Sequence, residues 1–252
     1  MAVLVTSISL LLSLVFMQQQ RLNALQEQRI SDQDLVRQSE VVAANLAIAQ
    51  NMPTLGFNNL IADWFFLRFL QYLGDAEARE KTDYSLSPDF FRVIIPNDPY
   101  YRMFYFFMSV STSTLAAQPE ASVELMAQGL SYLGPTTPDD SFYIWRYRGI
   151  DELLFLGDGV AAQQSFQTAA DWARQSPHPD AEIWGPASQR TADFLAANPD
   201  SKTAQINSWA NVLVNAFDEG TRQTAIERIE ALGGTVTISE DGAVNIQSPA
   251  ED

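Results

Sequence analysis

The sequence contains no cysteine, a single histidine and little positive charge. Without cysteine there can be no disulfide, thiolate nucleophile or cysteine-ligated zinc site. The one histidine, His178, lies in Ser176-Pro177-His178-Pro179-Asp180, a proline-braced turn that is a poor place to hold a general base. Against 31 Asp and Glu there are only 15 Lys and Arg, giving a formal net charge of −16 at pH 7. An acidic surface repels phosphate backbones and anionic headgroups, so nucleic-acid binding is not expected. No glycine-rich phosphate loop follows a strand, and Gly157-Asp158-Gly159 reads as a turn between helices. The acid pairs Asp139-Asp140 and Asp151-Glu152 read as helix caps and solvated surface. No catalytic, cofactor-binding or metal-ligating residue is therefore expected, and an enzyme is a distant third reading.

The 252 residues are 46% hydrophobic, enough to build a core for one or two domains. Residues 56–75 form the most apolar helix of the globular part. On a helical wheel Ile61, Phe65, Phe66, Phe69, Tyr72 and Leu73 share one face, while Leu60, Trp64 and Leu67 sit among the polar residues opposite. A helix apolar almost all round is expected to be buried on nearly every side, as the central helix of a helical domain. It is too short to span a bilayer, and Asp63 and Arg68 would be costly in lipid.

At the other extreme of hydropathy, residues 2–17 are an unbroken apolar or small-residue run without a basic leader or a small-x-small cleavage site. They are expected to act as an uncleaved membrane anchor, with a cleaved signal as the alternative, and the folded part on the non-cytoplasmic side. Four regions follow: an anchor over 1–20, a helical region with the buried aromatic helix over 21–96, helical hairpins over 97–232, and a β-hairpin with a frayed tail over 233–252.

Within this frame Ser31 is read as a cap for a helix that ends at Asn51-Met52-Pro53, and the charged stretch 76–83 as exposed. Residues 84–96 look extended or turn-rich because of Ser87-Pro88 and Ile95-Pro96. Asp98-Pro99 reads as a helix start, and the aromatic run from Tyr100 to Met108 is expected to pack on the central helix. Further helices are expected over 120–133, 142–156, 160–175, 181–197, 202–217 and 221–232. Alternating residues 235–238 and 243–246, around a turn with Gly242, predict a hairpin that needs a helix or a partner to rest on.

Trp145 and Gly149 in one helix, then Ala162, Phe166 and Ala169 in the next, then Pro177, resemble a tetratricopeptide repeat. The interval from Gly149 to Ala162 is one residue longer than the usual pattern. Gly56, Phe57, Leu60, Ala62, Asp63, Tyr72, Gly74 and Asp75, placed behind an N-terminal hydrophobic segment, resemble a group of bacterial membrane-anchored proteins with such repeats, in the style of cyanobacterial members. The resemblance implies an all-α chain of degenerate tetratricopeptide-like hairpins with a small C-terminal β-hairpin. It also implies a single-pass protein of the periplasmic or thylakoid-lumen side. The expected function is a non-catalytic scaffold that binds another protein in assembling, stabilising or organising a membrane complex; the alternative is a permanent subunit of such a complex, for instance a photosynthetic one. Neither reading calls for a cofactor.

Candidate protein-binding residues are few. Asn59 and Asp63 stand one turn apart and could hold a peptide backbone, although Asp63 more simply orders the core through a neighbouring loop. Arg68 is placed to stack on Trp64 or Tyr72, or to pair with Asp75. In Trp145-Arg146-Tyr147-Arg148 the tryptophan is expected to pack, which leaves Arg146 and Arg148 for recognition.

Overall fold

The computed structural model describes residues 18–19, 32–200, 202–214, 216, 219–238 and 244–249. The expected anchor at 2–17, the proposed cap Ser31, the hairpin turn at 239–243 and the tail from 250 lie outside them. By contact density the chain divides after Gln38. In the first unit, residues 32–38 open helix α1 (Asp32–Ala49), with Asp32 and Asp34 in its first turn where the helix dipole favours acids. The rest of the description concerns residues 39–252.

The protein is mainly helical, with one two-stranded sheet near its C-terminus. After α1 come α2 (Asn58–Gly74), α3 (Ala76–Thr82), α4 (Ser87–Asn97) and α5 (Arg102–Met108). A π-helical segment, Ser109–Leu115, prolongs α5. Then follow α6 (Pro119–Leu130), α7 (Phe142–Asp151) with a second π-helical segment Glu152–Leu156, and α8 (Gly159–Ala173). The series ends with α9 (Ala181–Ala197), α10 (Lys202–Val214) and α11 (Glu219–Ala231), before β1 (Thr235–Ile238) and β2 (Val244–Gln247). Helix α7 packs on α6 and α8, α8 also on α9, and α10 on α11 and on the segment Glu152–Leu156.

The expected extended stretch 84–96 is instead helix α4, and α4 is the element around which the main core is built. Phe90, Phe91, Val93, Ile94 and Ile95 are all buried, against α2 on one side and α5 and α6 on others. Its prolines do not break it. Pro88 sits in the first turn, where a missing N–H deprives the helix of nothing. Pro96 falls in the last turn, where only the Arg92 carbonyl loses its i+4 N–H, and Asn97 Nδ2 donates to the neighbouring Val93 carbonyl.

Helix α2 buries only Ala62, Phe69 and Tyr72 completely. Phe66, half-buried, meets Phe104 at 4.8 Å and Phe107 at 5.5 Å between ring centroids, so the two aromatic helices do pack together as expected. Its other side is open: Leu60, Trp64 and Leu67 are 65%, 59% and 58% exposed. The expectation of burial on nearly every side is therefore wrong. Apolar residues all round mark two different surfaces here, one facing the core and one facing out. The charged stretch 76–83 is also not simply exposed. It forms α3, capped by Asp75, which accepts from Ala78 N, and it buries Arg79 over the Tyr72 ring at 3.8 Å, with Arg79 Nη1 donating to Asp83 O.

A second core gathers Ile206, Trp209, Val212 and Leu213 of α10 with Ala225 and Ile229 of α11. The sheet is antiparallel, Val236 pairing with Ile246, and Val236, Val244 and Ile246 lean on this core. The hairpin thus obtains from α11 the support that two strands need.

Candidate protein-binding surfaces

On the open side of α2, Phe57, Leu60, Trp64, Leu67 and Gln71 recur at alternating steps of three and four residues. The outer side of α1 repeats the pattern with Val41, Asn45, Ile48 and, just beyond the helix, Met52. Both sets are exposed. A 3–4 spacing averages 3.5 residues, the period with which one helix packs along another. Between the two stripes lies a groove of about 290 Å³ lined by Asn45, Ile48, Ala49, Met52, Trp64, Phe65 and Arg68. Its wall is apolar, with one carboxamide and one guanidinium to fix orientation.

Three of the expected site residues belong to this helix. Asn59, Asp63 and Arg68 are all exposed, and Arg68 lines the groove. The structural role expected for Arg68 is taken by another residue, because the cation over Tyr72 is Arg79. Nor does Asp63 order the core, since its carboxylate faces out.

A second surface crosses α5, α7 and α9. Phe106 approaches Tyr147 at 6.1 Å, Tyr147 stacks on Tyr143 at 6.2 Å, and Tyr143 meets Trp184 at 6.3 Å. Arg102 lies over Tyr143 at 4.4 Å and pairs with Asp140 at 3.3 Å. Tyr143 donates its hydroxyl to Asp180 Oδ2 at 2.7 Å. Desolvation, with that bond and the Asp180 charge, pushes the Tyr143 phenol up to about 12. Arg146 sits over the Trp184 ring at 4.3 Å and its Nη1 donates to Ser188 Oγ at 2.7 Å. Burial holds its guanidinium below the usual arginine range, opposed only by Tyr143 and Tyr147.

The two arginines singled out from the sequence therefore differ. Arg146 belongs to this open row, whereas Arg148 turns inward, pairs with the buried Glu152 at 2.7 Å and lies 5.4 Å from the Trp145 ring centroid. Trp145 packs edge-on against Trp172 at 5.8 Å, as a packing residue should. His178, in its turn, accepts from Asp180 N through Nδ1 and borders Phe142 and Tyr143.

Asp151 and Glu152, expected on the surface, are both buried. Asp151 accepts from Ser109 Oγ at 2.9 Å, Ser113 Oγ at 2.6 Å and Ser122 Oγ at 2.8 Å. Glu152 accepts from Ser165 Oγ at 2.6 Å as well as from Arg148. Desolvation pushes the Asp151 carboxyl up to about 6, against the pull of its three hydroxyl donors, and raises that of Glu152 too. The serines that hold Asp151 come from the first π-helical segment, its leading residue included, and from α6, so the carboxylate ties three elements together. In the sequence only the run Ser109-Val110-Ser111-Thr112-Ser113-Thr114 signals an interior able to satisfy a buried acid.

Compared with protein-family models, with curated proteins and with solved structures, the chain matches none.

Proposed function

We propose that this protein is a non-catalytic, membrane-anchored scaffold of degenerate tetratricopeptide-like hairpins. In this reading it binds a protein subunit in the assembly, stabilisation or organisation of a membrane complex, on the periplasmic or thylakoid-lumen side of a bacterial, cyanobacterial-type membrane. The observation that carries the reading is the exposed 3–4 stripe of Phe57, Leu60, Trp64 and Leu67 beside the groove of α1 and α2. Exposed apolar surface of this regularity is what a partner's amphipathic helix covers, its own apolar residues entering between the stripes. Asn45 and Arg68 would set its register, as isolated polar groups do in a helical seam.

The anchor reading rests on residues 2–17; no described helix is long and apolar enough to cross a membrane. A second reading, a permanent subunit, draws on the same exposed apolar side, because obligate interfaces are the more hydrophobic class. Purification of the full chain from detergent-solubilised membranes separates the two. A helical partner recovered in substoichiometric amounts, and lost with Trp64→Ala, supports the scaffold. A fixed stoichiometry supports the subunit, and recovery of the chain alone would refute both.

A further inference from the structure

Arg146 is a cation without an anion. Its guanidinium is half-buried, its hydrogen bond goes to the neutral Ser188 hydroxyl, and among the described residues no carboxylate pairs with it. Its neighbours are different. Arg102, on the same surface, has Asp140, and Arg148, two residues on and turned away from the open side, has Glu152. Removing a charge from water is costly unless an opposite charge compensates. The ring of Trp184 offsets part of that cost, and among the described residues only Ser188 accepts from the five donors of this planar fork, which leaves the others open to a ligand.

We propose that Arg146, with Tyr143, Tyr147 and Trp184, forms a second docking surface for an extended segment of a partner protein that seats an aspartate or glutamate side chain on the Arg146 guanidinium. A carboxylate matches the fork in shape and charge, and the rings around it exclude water from the pair. Arginine, tyrosine and tryptophan together are also the side chains that dominate binding energy at interfaces. Phe106 and Trp184, both more than a third exposed, offer rings at the two ends of the row for an apolar neighbour of that acid.

A side-chain carboxylate fits better than a chain terminus. Terminal carboxylates are captured by clusters of free backbone N–H groups, and this surface consists of helix flanks whose backbone donors are used within the helices. Polyanions fit worse. Asp140 and Asp180 border the row and the whole chain carries −16, so the partner segment should bear one acid in an otherwise neutral or basic stretch. The surface is made of other residues than the α1–α2 groove, so either can fail alone.

The test is selection from a library of random internal peptides with blocked termini, on the detergent-solubilised full chain, with affinities read by fluorescence anisotropy. Selected peptides should each carry an Asp or Glu beside an aromatic or aliphatic residue. Changing that acid to its amide, or Arg146→Met in the protein, should weaken binding about tenfold or more, while Trp64→Ala leaves it unchanged. Arg146→Lys, which keeps the charge without the fork, should also weaken it. Peptides without acids, equal binding to the amide forms, or tighter binding by versions of the same peptides carrying a free C-terminus or a phosphate in place of the acid would overturn the proposal. Absence of any peptide bound at this row would overturn it too, and would leave the α1–α2 reading untouched.

Discussion

Ser113 donates its hydroxyl to Asp151 Oδ2 at 2.6 Å inside the core, where neither residue meets solvent. The carboxylate is held by neutral donors alone, and Glu152 beside it adds a like charge. It is therefore a point of weakness whenever it is ionised.

Its sign is opposite to that of a salt-bridged acid. The folded carboxyl titrates at about 6 and the unfolded one near 3.8. Between these values the folded chain keeps a proton that the unfolded chain has lost. By linkage, Asp151 contributes its full stability below about pH 4, loses it as pH rises towards 6, and adds no further slope above that. Glu152, raised in the same direction, acts with the same sign. Urea midpoints should therefore be higher near pH 5 than near neutrality, and Asp151→Asn should flatten that difference. An undiminished difference in the variant would place its origin elsewhere.

The α1–α2 surface separates binding from folding. Trp64→Ala and Leu67→Ser remove exposed side chains and should leave the melting transition within about 0.5 kcal/mol of wild type. Both should abolish recovery of a partner. Phe91→Ala, in the buried centre of α4, should cost about 3–5 kcal/mol by lost burial and the cavity left behind. Equal destabilisation by Trp64→Ala would mean that its ring is part of the core.

Gly149 marks a tight crossing. A Cβ there would lie 3.0 Å from the Phe166 ring and 3.3 Å from Ser165 Cβ, so α7 and α8 approach each other over a bare backbone. Gly149→Leu should destabilise by roughly 1–3 kcal/mol, measured by thermal or urea unfolding. An unaffected midpoint would show that the helices can separate at no cost.

Membrane attachment is tested by truncation. Full-length protein should stay in the pellet after carbonate washing, and removal of residues 1–20 should release it to the supernatant. A full chain in the soluble fraction refutes the anchor.

Much of the helix order was legible because its punctuation is chemical. Asp158 accepts from Ala161 N at the start of α8, Asn198-Pro199 ends α9 at Ala197, and the alternation after Gly234 places β1 as observed and β2 one residue early. What misled was the use of single residues against a pattern. Pro88 and Pro96 suggested extended chain, yet proline is tolerated at helix ends, and the period of Phe90, Phe91, Ile94 and Ile95 described α4 correctly. Asp98-Pro99 looked like a helix start, but Asp98 Oδ1 accepts from Tyr100 N in a turn and α5 begins at Arg102.

Of the candidate site, the residue types were readable and their surroundings were not. Arg146 and Arg148 are two positions apart and so leave α7 on different sides, one meeting Trp184 and the other Glu152. No local pattern contains α9, which supplies Trp184 and Ser188. Asp151 illustrates the same gap. An acid pair normally belongs to the surface, and only the distant serines of Ser109–Leu115 and α6 make its burial possible.

The π-helical segment Glu152–Leu156 lies within the interval from Gly149 to Ala162 that is one residue too long for a tetratricopeptide repeat. A π turn is what an α-helix becomes when it takes in a supernumerary residue without opening into a loop. On the tetratricopeptide-like reading, this segment is where the extra residue is held within the helix. Deleting Leu154 should restore ordinary pitch, shorten the unit to the standard interval, and turn everything beyond it through about 100° relative to Asp151.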